Sequence, residues 1–269
     1  MFCLPGQRPY LHKDESLRHL RCLGSPFLLA LAQGGEVHLG GRNTMEVLTA
    51  AGVDYIVIDR EYGCFSAEET ADYIRIAELG NVLPYIRIPS GSRTEVLHML
   101  DIGARGLIVP NITTVQQVQE LVEYGKFAPD GKRGYCPNRT TVYGVKDWGK
   151  DPLAYMAETN RRVKLYPQCE TAEALEQIDE IAAIDGIDGI FIGPLDLSIA
   201  QGLPLQTDHP DVQAAIARVL AACHKAGKEA LIFAGNAAAR DRYFAQGFDS
   251  VALGLDAMIL LEAYRKLLQ

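Results

Sequence analysis

Residues 186 to 198 read Gly-Ile-Asp-Gly-Ile-Phe-Ile-Gly-Pro-Leu-Asp-Leu-Ser, an apolar run that breaks at Gly193-Pro194 and then presents an acid, Asp196. That is the pattern of a buried strand delivering a carboxylate just past its C-terminal end. Upstream, the apolar segment Val163 to Pro167 runs into Gln168, Cys169 and Glu170 before a helix start at Thr171. If the two strands are neighbours, Glu170 and Asp196 converge. Two hard oxygen donors beside an open Gly-Pro backbone suit a divalent cation of the Mg²⁺ or Mn²⁺ kind, and another divalent metal would find the same donors. The competing reading is a pair of solvated helix N-caps.

Further chemistry gathers at other strand ends. Strand two ends Asp59-Arg60-Glu61-Tyr62, and strand three ends with Arg87 in Tyr-Ile-Arg-Ile-Pro. Four acids facing one arginine is a costly grouping unless a cation or substrate balances it. Arg87 would hold the oxygen of an enolate or a substrate carboxylate, or else act as the charge partner of Asp59 or Glu61. The peptide N–H groups of Leu195 and Asp196, in the turn after strand six, suit a carboxylate as helix starts suit anions. With a cation chelated by the carboxylate and keto oxygen of a 2-oxo acid, this set would stabilise the enolate formed when a C3–C4 bond breaks or a C3 proton leaves.

Absences narrow the chemistry. A Schiff-base mechanism needs a lysine in the mouth, whereas Lys164 starts strand five and Lys228 precedes strand seven, both on the far side. His12, His19, His98, His209 and His224 fall in an N-terminal arm, helices or loops. Only His38, after strand one, has a route to the mouth, and the residues alone assign it no role.

These groups meet only if the strands point one way around a common mouth. Strands are expected at Phe27 to Ala32, Asp54 to Asp59, Val82 to Arg87, Gly106 to Val109, Val163 to Gln168, Gly189 to Ile192, Glu229 to Phe233 and Ser250 to Leu253. Helical patterns alternate with them, with capping boxes at Ser66 to Glu69 and Thr113 to Gln116, an unbroken helix from Ala172 to Ala183, and Pro210 at a helix N1 position. Eight such repeats predict an α/β fold, a (β/α)8 TIM barrel in a single domain over residues 25–269, after an arm of 1–24. A doubly wound sheet would carry a Gly-x-Gly-x-x-Gly turn after its first strand; Gly34-Gly35 and Gly40-Gly41 have the wrong spacing. The stretch 125–150, rich in Gly, Pro, Arg and aromatic residues, is too long for an ordinary connection and is expected to fold over one face.

With 48% hydrophobic residues the 269-residue chain can build one large core. A net charge of −8 argues against a nucleic-acid or anionic-membrane surface. The six cysteines show no Cys-x-x-Cys pair or zinc spacing and read as reduced thiols. No apolar run approaches the ~20 residues of a membrane helix, and no leader pattern opens the chain, so a cytoplasmic protein is expected.

At Val-Asp-Tyr-Ile-Val-Ile-Asp-Arg-Glu, Ile-Arg-Ile-Pro, Gln-Cys-Glu-Thr-Ala-Glu-Ala and the run 186–198, the chain resembles the HpcH/HpaI aldolase/citrate lyase family of metal-dependent 2-oxo-acid aldolases. The resemblance spans Pro26 to the C-terminus. It implies metal ligands at Glu170 and Asp196, substrate contacts from Gln168, Arg87 and the turn at Gly193, and a pyruvate enolate released from, or added to, an aldehyde. It also implies a homo-oligomer, a hexamer built as a dimer of trimers, in which Asp101 reaches a neighbouring site. Two departures stand out. The family pattern Asp-x-Glu-His reads Asp59-Arg60-Glu61-Tyr62 here, and a phenol is a poorer base than imidazole at neutral pH. The loop Tyr135 to Arg139 departs from a Gly/Ser/Ala-rich version, and Arg139 would favour an added acidic substituent on the substrate. Beside the aldolase stand two alternatives: an acyl-CoA lyase of the citrate lyase branch, and a metal- and 2-oxo-acid-binding barrel without turnover.

Overall fold

The computed structural model describes residues 32–145 and 150–269. Strands β1 (Ala32–Val37), β2 (Tyr55–Asp59), β3 (Leu83–Arg87), β4 (Gly106–Val109), β5 (Lys164–Cys169), β6 (Gly189–Ile192), β7 (Glu229–Ala234) and β8 (Ser250–Leu255) form one closed barrel in chain order. All pairs are parallel, including β8 with β1. The connections carry α1 (Arg42–Ala51), α2 (Ala67–Leu79), α3 (Arg93–Asp101), α4 (Val115–Gly125), α5 (Pro152–Arg162), α6 (Ala172–Glu176), α7 (Ile178–Ala182), α8 (Pro194–Ala200), α9 (Pro210–Ala226), α10 (Ala237–Gln246) and α11 (Asp256–Leu267). This is the (β/α)8 barrel implied by the alternation of patterns.

Two cores follow from the pleat. Side chains alternate across a strand, so one phase packs outward against the helices, with Ile56, Ile58, Ile86, Leu107, Leu165 and Ile190 in that layer. The other phase fills the barrel: Ala32, Tyr55, Val57, Tyr85, Ile108, Tyr166, Phe191, Leu231 and Ala252. Continued by two residues, the inner phase of β2, β3 and β5 reaches Asp59, Arg87 and Gln168, and two more along β5 reach Glu170. The chain therefore lays an apolar, tyrosine-rich floor and raises charged groups above it along the same rows.

Among the described residues the first strand runs on from Ala32 to Val37. Only Ala32 of the span expected at Phe27 to Ala32, and nothing of the arm at 1–24, falls among the described residues; β1 is Ala-Gln-Gly-Gly-Glu-Val. Gly34 is required because a Cβ there would meet Tyr55 Cε2 at 2.1 Å. The neighbouring tyrosine fills the space of the missing side chain, so a strand with little apolar content still packs.

Three expectations shift. The capping box at Ser66 forms as read, but the next uses Thr114 and Gln117, one residue later than Thr113 and Gln116. There Gln117 Oε1 accepts from the backbone N–H of both Thr113 and Thr114. The helix expected from Ala172 to Ala183 is two, broken at Gln177, whose side chain donates back to Glu173 O and across to Thr113 O. Part of the stretch 125–150 forms a 3₁₀ turn at Arg139–Gly144.

Candidate active site

Strand register brings the charged groups together. Asp59 and Arg87 are direct partners across β2 and β3, and the guanidinium grips the carboxylate with two bonds, Nε to Oδ1 at 2.8 Å and Nη2 to Oδ2 at 2.9 Å. Asp59 is 0% exposed and Arg87 7%. Burial opposes ionisation of Asp59, but the bonds from His38 and Arg87 outweigh it and hold the carboxyl far below the usual range. Arg87 is thus a charge partner of Asp59, and its Nε lies 3.5 Å from Glu61 Oε2. Nη1 takes no part in the two bonds to Asp59.

Glu61 and Glu170 are joined through a residue that the sequence reading passed over. Asn111, just after β4, has φ of 56°, a left-handed conformation that asparagine tolerates. Its backbone N–H donates to Glu170 Oε1 at 2.7 Å and its Nδ2 to Glu61 Oε1 at 3.2 Å. The only signal in the sequence was an amide following Val109-Pro110 at a strand end. Burial pushes the Glu61 carboxyl up to about 7, Arg87 opposing and the charges of Glu170, Asp59 and Asp196 adding to the rise. Glu170 is likewise raised by burial, against the Asn111 and Gln168 hydrogen bonds.

Gln168 and Cys169 pair with Phe191 and Ile192, which sets Glu170 beside the turn at Gly193. Gln168 Nε2 donates to Glu170 Oε2 in a short contact. A Cβ on Gly193 would stand 2.9 Å from Gln168 Nε2 and 3.0 Å from Glu170 Oε2. Helix α8, unread in the sequence, begins here with Pro194 at N1, so Leu195 and Asp196 lie in its first turn. Amides there have no carbonyl partner within the helix. Glu170 and Asp196 line one cavity of about 400 Å³ with Tyr62, Asn111, Thr171 and Ile199. Tyr62 is 60% exposed, its ring centroid 5.3 Å from the Arg87 guanidinium carbon. Burial first, and then the neighbouring acids, raise its phenol further from neutrality.

Among the described residues no group of three or more His, Cys, Asp or Glu is arranged to hold a metal ion. Two carboxylates on an open cavity nonetheless fit Mg²⁺ or Mn²⁺, which take one or two protein carboxylates and leave other positions to water and substrate. The excess of acids over cations points the same way. Gly193→Ala is expected to weaken Mn²⁺ binding by about 10- to 100-fold, since the methyl displaces the amide that orients Glu170. Calorimetric titration checks this; unchanged affinity would mean that Gln168 steps aside freely.

Arg139 lies away from the cavity of its own chain. Arg139 bonds Glu78 Oε2 at 2.5 Å and Ile102 O at 3.2 Å, at the C-terminal ends of α2 and α3, hence on the opposite rim of its own barrel. Within one chain it makes no approach to the cavity, and Asp101 on that same rim pairs with Arg133. Lys164 is on the far side as expected, bound to Asp188 and Glu229. Conversely, Glu36 and His38 sit in the mouth. They continue the inner phase of β1, and His38 Nε2 lies 2.8 Å from Asp59 Oδ2 and 3.8 Å from Glu36 Oε2.

The closed parallel barrel thus gathers two cavity-facing carboxylates and a buried arginine–aspartate pair at its strand ends. Residues 38–263 match the HpcH/HpaI aldolase/citrate lyase family, and the chain belongs to it; it is an aldolase, an aldehyde-lyase. A Klebsiella pneumoniae protein named 2-keto-3-deoxy-L-rhamnonate aldolase is 34% identical, covering 90% of this chain and 91% of its own. The crystal structure of a family protein from Burkholderia cenocepacia superposes with a TM-score of 0.84 at 31% identity, covering 96% and 98% of the two chains. The HpcH/HpaI aldolase of Desulfitobacterium hafniense gives 0.83 at 27%, over 88% and 91%. Among the described residues no helix is long and apolar enough to cross a membrane.

Proposed function

We propose that the protein cleaves or forms 4-hydroxy-2-oxo acids through a pyruvate enolate, with Mg²⁺ or Mn²⁺ held by Glu170 and Asp196. The observation that carries this reading is the shared cavity of those two carboxylates. The cation, when bound, supplies Lewis-acid polarisation of the keto oxygen. Gln168 and Asn111 orient Glu170, and Arg87 offers Nη1 to the enolate oxygen. Leu195 and Asp196 present amides to the 2-oxo acid carboxylate, Glu61 organises water beside the cation, and Tyr62 forms the outer wall against the aldehyde. The name carried by the Klebsiella relative supports a 2-oxo-3-deoxy sugar acid as the substrate class.

The test is proton exchange at C3 of pyruvate in D₂O, together with aldehyde release from a panel of 4-hydroxy-2-oxo acids. Exchange is expected only when Mg²⁺ or Mn²⁺ is added. No exchange with any of several divalent metals would overturn the reading, and binding of pyruvate by calorimetry without turnover would leave only a binding barrel. The assembly we propose is a homo-oligomer, a trimer or hexamer. Helix α11 buries none of its residues and exposes Met258, Ile259, Leu260, Leu261 and Tyr264, a face that a second copy would cover; sedimentation equilibrium reads the stoichiometry.

A further inference from the structure

Cleavage of a 4-hydroxy-2-oxo acid moves one proton. It leaves the C4 hydroxyl as the C3–C4 bond breaks, and a proton must later be delivered to C3 of the enolate. The mouth holds few groups able to carry it. Arg87 stays charged, Asp59 is locked ionised by its two partners, and Glu170 and Asp196 face the cation. Glu61 is engaged on Oε1 by Asn111 Nδ2 at 3.2 Å and faced on Oε2 by Arg87 Nε at 3.5 Å. The Tyr62 phenol is held further from neutrality than a free one.

The imidazole of His38 remains. Its backbone N–H is pinned by Asp256 Oδ1 at 2.8 Å, Nε2 rests against Asp59 Oδ2 at 2.8 Å, and the side chain keeps 23% of its surface exposed. A carboxylate that fixes one ring nitrogen and leaves the other to the solvent side is the arrangement that orients a general base. We infer that His38, oriented by Asp59, is the general acid–base residue of this barrel. This rests on the aldolase reading above. The ring accepts the C4 hydroxyl proton, the C3–C4 electron pair stays on C3 as the enolate, the aldehyde departs, and the imidazolium returns the proton to C3.

Asp59 first, and then Glu36, hold the imidazole pKa up at about 9 against the effect of burial; Arg87 lies behind Asp59 and Asp256 beneath the backbone. The imidazolium is thus the resting form at neutral pH and the form that protonates the aldehyde oxygen in condensation. Cleavage uses the neutral ring, so its rate should climb with pH towards 9.

Oxaloacetate decarboxylation separates the two readings, because loss of CO₂ gives the same enolate with no hydroxyl proton to remove. With Mn²⁺, His38→Gln is expected to keep decarboxylation within about threefold while cleavage and pyruvate C3 exchange fall on the order of 10²- to 10⁴-fold. The rise of cleavage rate with pH should vanish, and the imidazole NMR signal titrating near 9 in the metal-free wild type should disappear. Cleavage retained within threefold, or decarboxylation lost in parallel at an unchanged melting temperature, overturns the assignment. A wild-type protein inactive in all three assays overturns the aldolase reading and this assignment with it.

Discussion

Glu170→Gln is expected to lower metal-dependent turnover on the order of 10³-fold or more while leaving the metal-free protein at least as stable as before. Both halves follow from the position of the carboxylate. It lines the cavity with Asp196 and is held by the Asn111 amide and Gln168, so its loss removes an oxygen ligand that glutamine replaces only weakly. Its pKa in the fold is raised, burial being the main cause. A carboxyl raised by folding binds its proton more tightly in the native state. It therefore costs stability above its unfolded pKa, and that cost fades as the pH falls. Glutamine has no such cost, so melts in the absence of metal should favour the variant more at pH 8 than at pH 5. Mn²⁺ should raise the melting temperature of the wild type and not of the variant, since only a bound ligand stabilises. Equal Mn²⁺-induced shifts would remove Glu170 from the site.

Arg87→Met is expected to cost about 3–5 kcal/mol of stability as well as activity, because it strands the fully buried Asp59 carboxylate. His38 also pairs with Asp59 and should hold the loss towards the lower figure. Adding Asp59→Leu to Arg87→Met should recover most of the stability, since a buried pair can be exchanged for apolar packing at little cost, and none of the turnover. Urea unfolding of the two variants decides it. A single variant that loses less than about 1 kcal/mol would show that water, rather than arginine, satisfies Asp59.

The strand ends were legible because each strand announces itself by an apolar run and each functional group follows that run directly. Asp59, Arg87, Gln168, Glu170 and Asp196 could be listed together from pattern alone, and the register of β2 with β3 and of β5 with β6 places them as neighbours. What the pattern left out has several physical reasons. β1 has little apolar content of its own since Tyr55 fills its space from the next strand, so no apolar run marks the chain beyond Ala32. Ending the expected strand at Ala32, short of Val37, hid Glu36 and left His38 as a bare route to the mouth. Asn111 was missed because a backbone amide and a left-handed turn make its contacts, and neither follows from residue type. Arg139 was assigned from a loop without periodicity, and only the fold shows that the loop returns to the opposite rim.

The sparse, glycine-rich character of β1 has a consequence for synthesis. One edge of β1 pairs with β2 soon after translation, but its other neighbour is β8, and the carboxylate that pins His38 comes 218 residues later, from Asp256. Until the β8 segment has been made, a nascent chain carries an open edge, which in a Val/Ile-rich strand would recruit other nascent chains. Gln33-Gly34-Gly35-Glu36 makes that edge a weak template, so the chain can wait for β8 and Asp256 to complete the mouth.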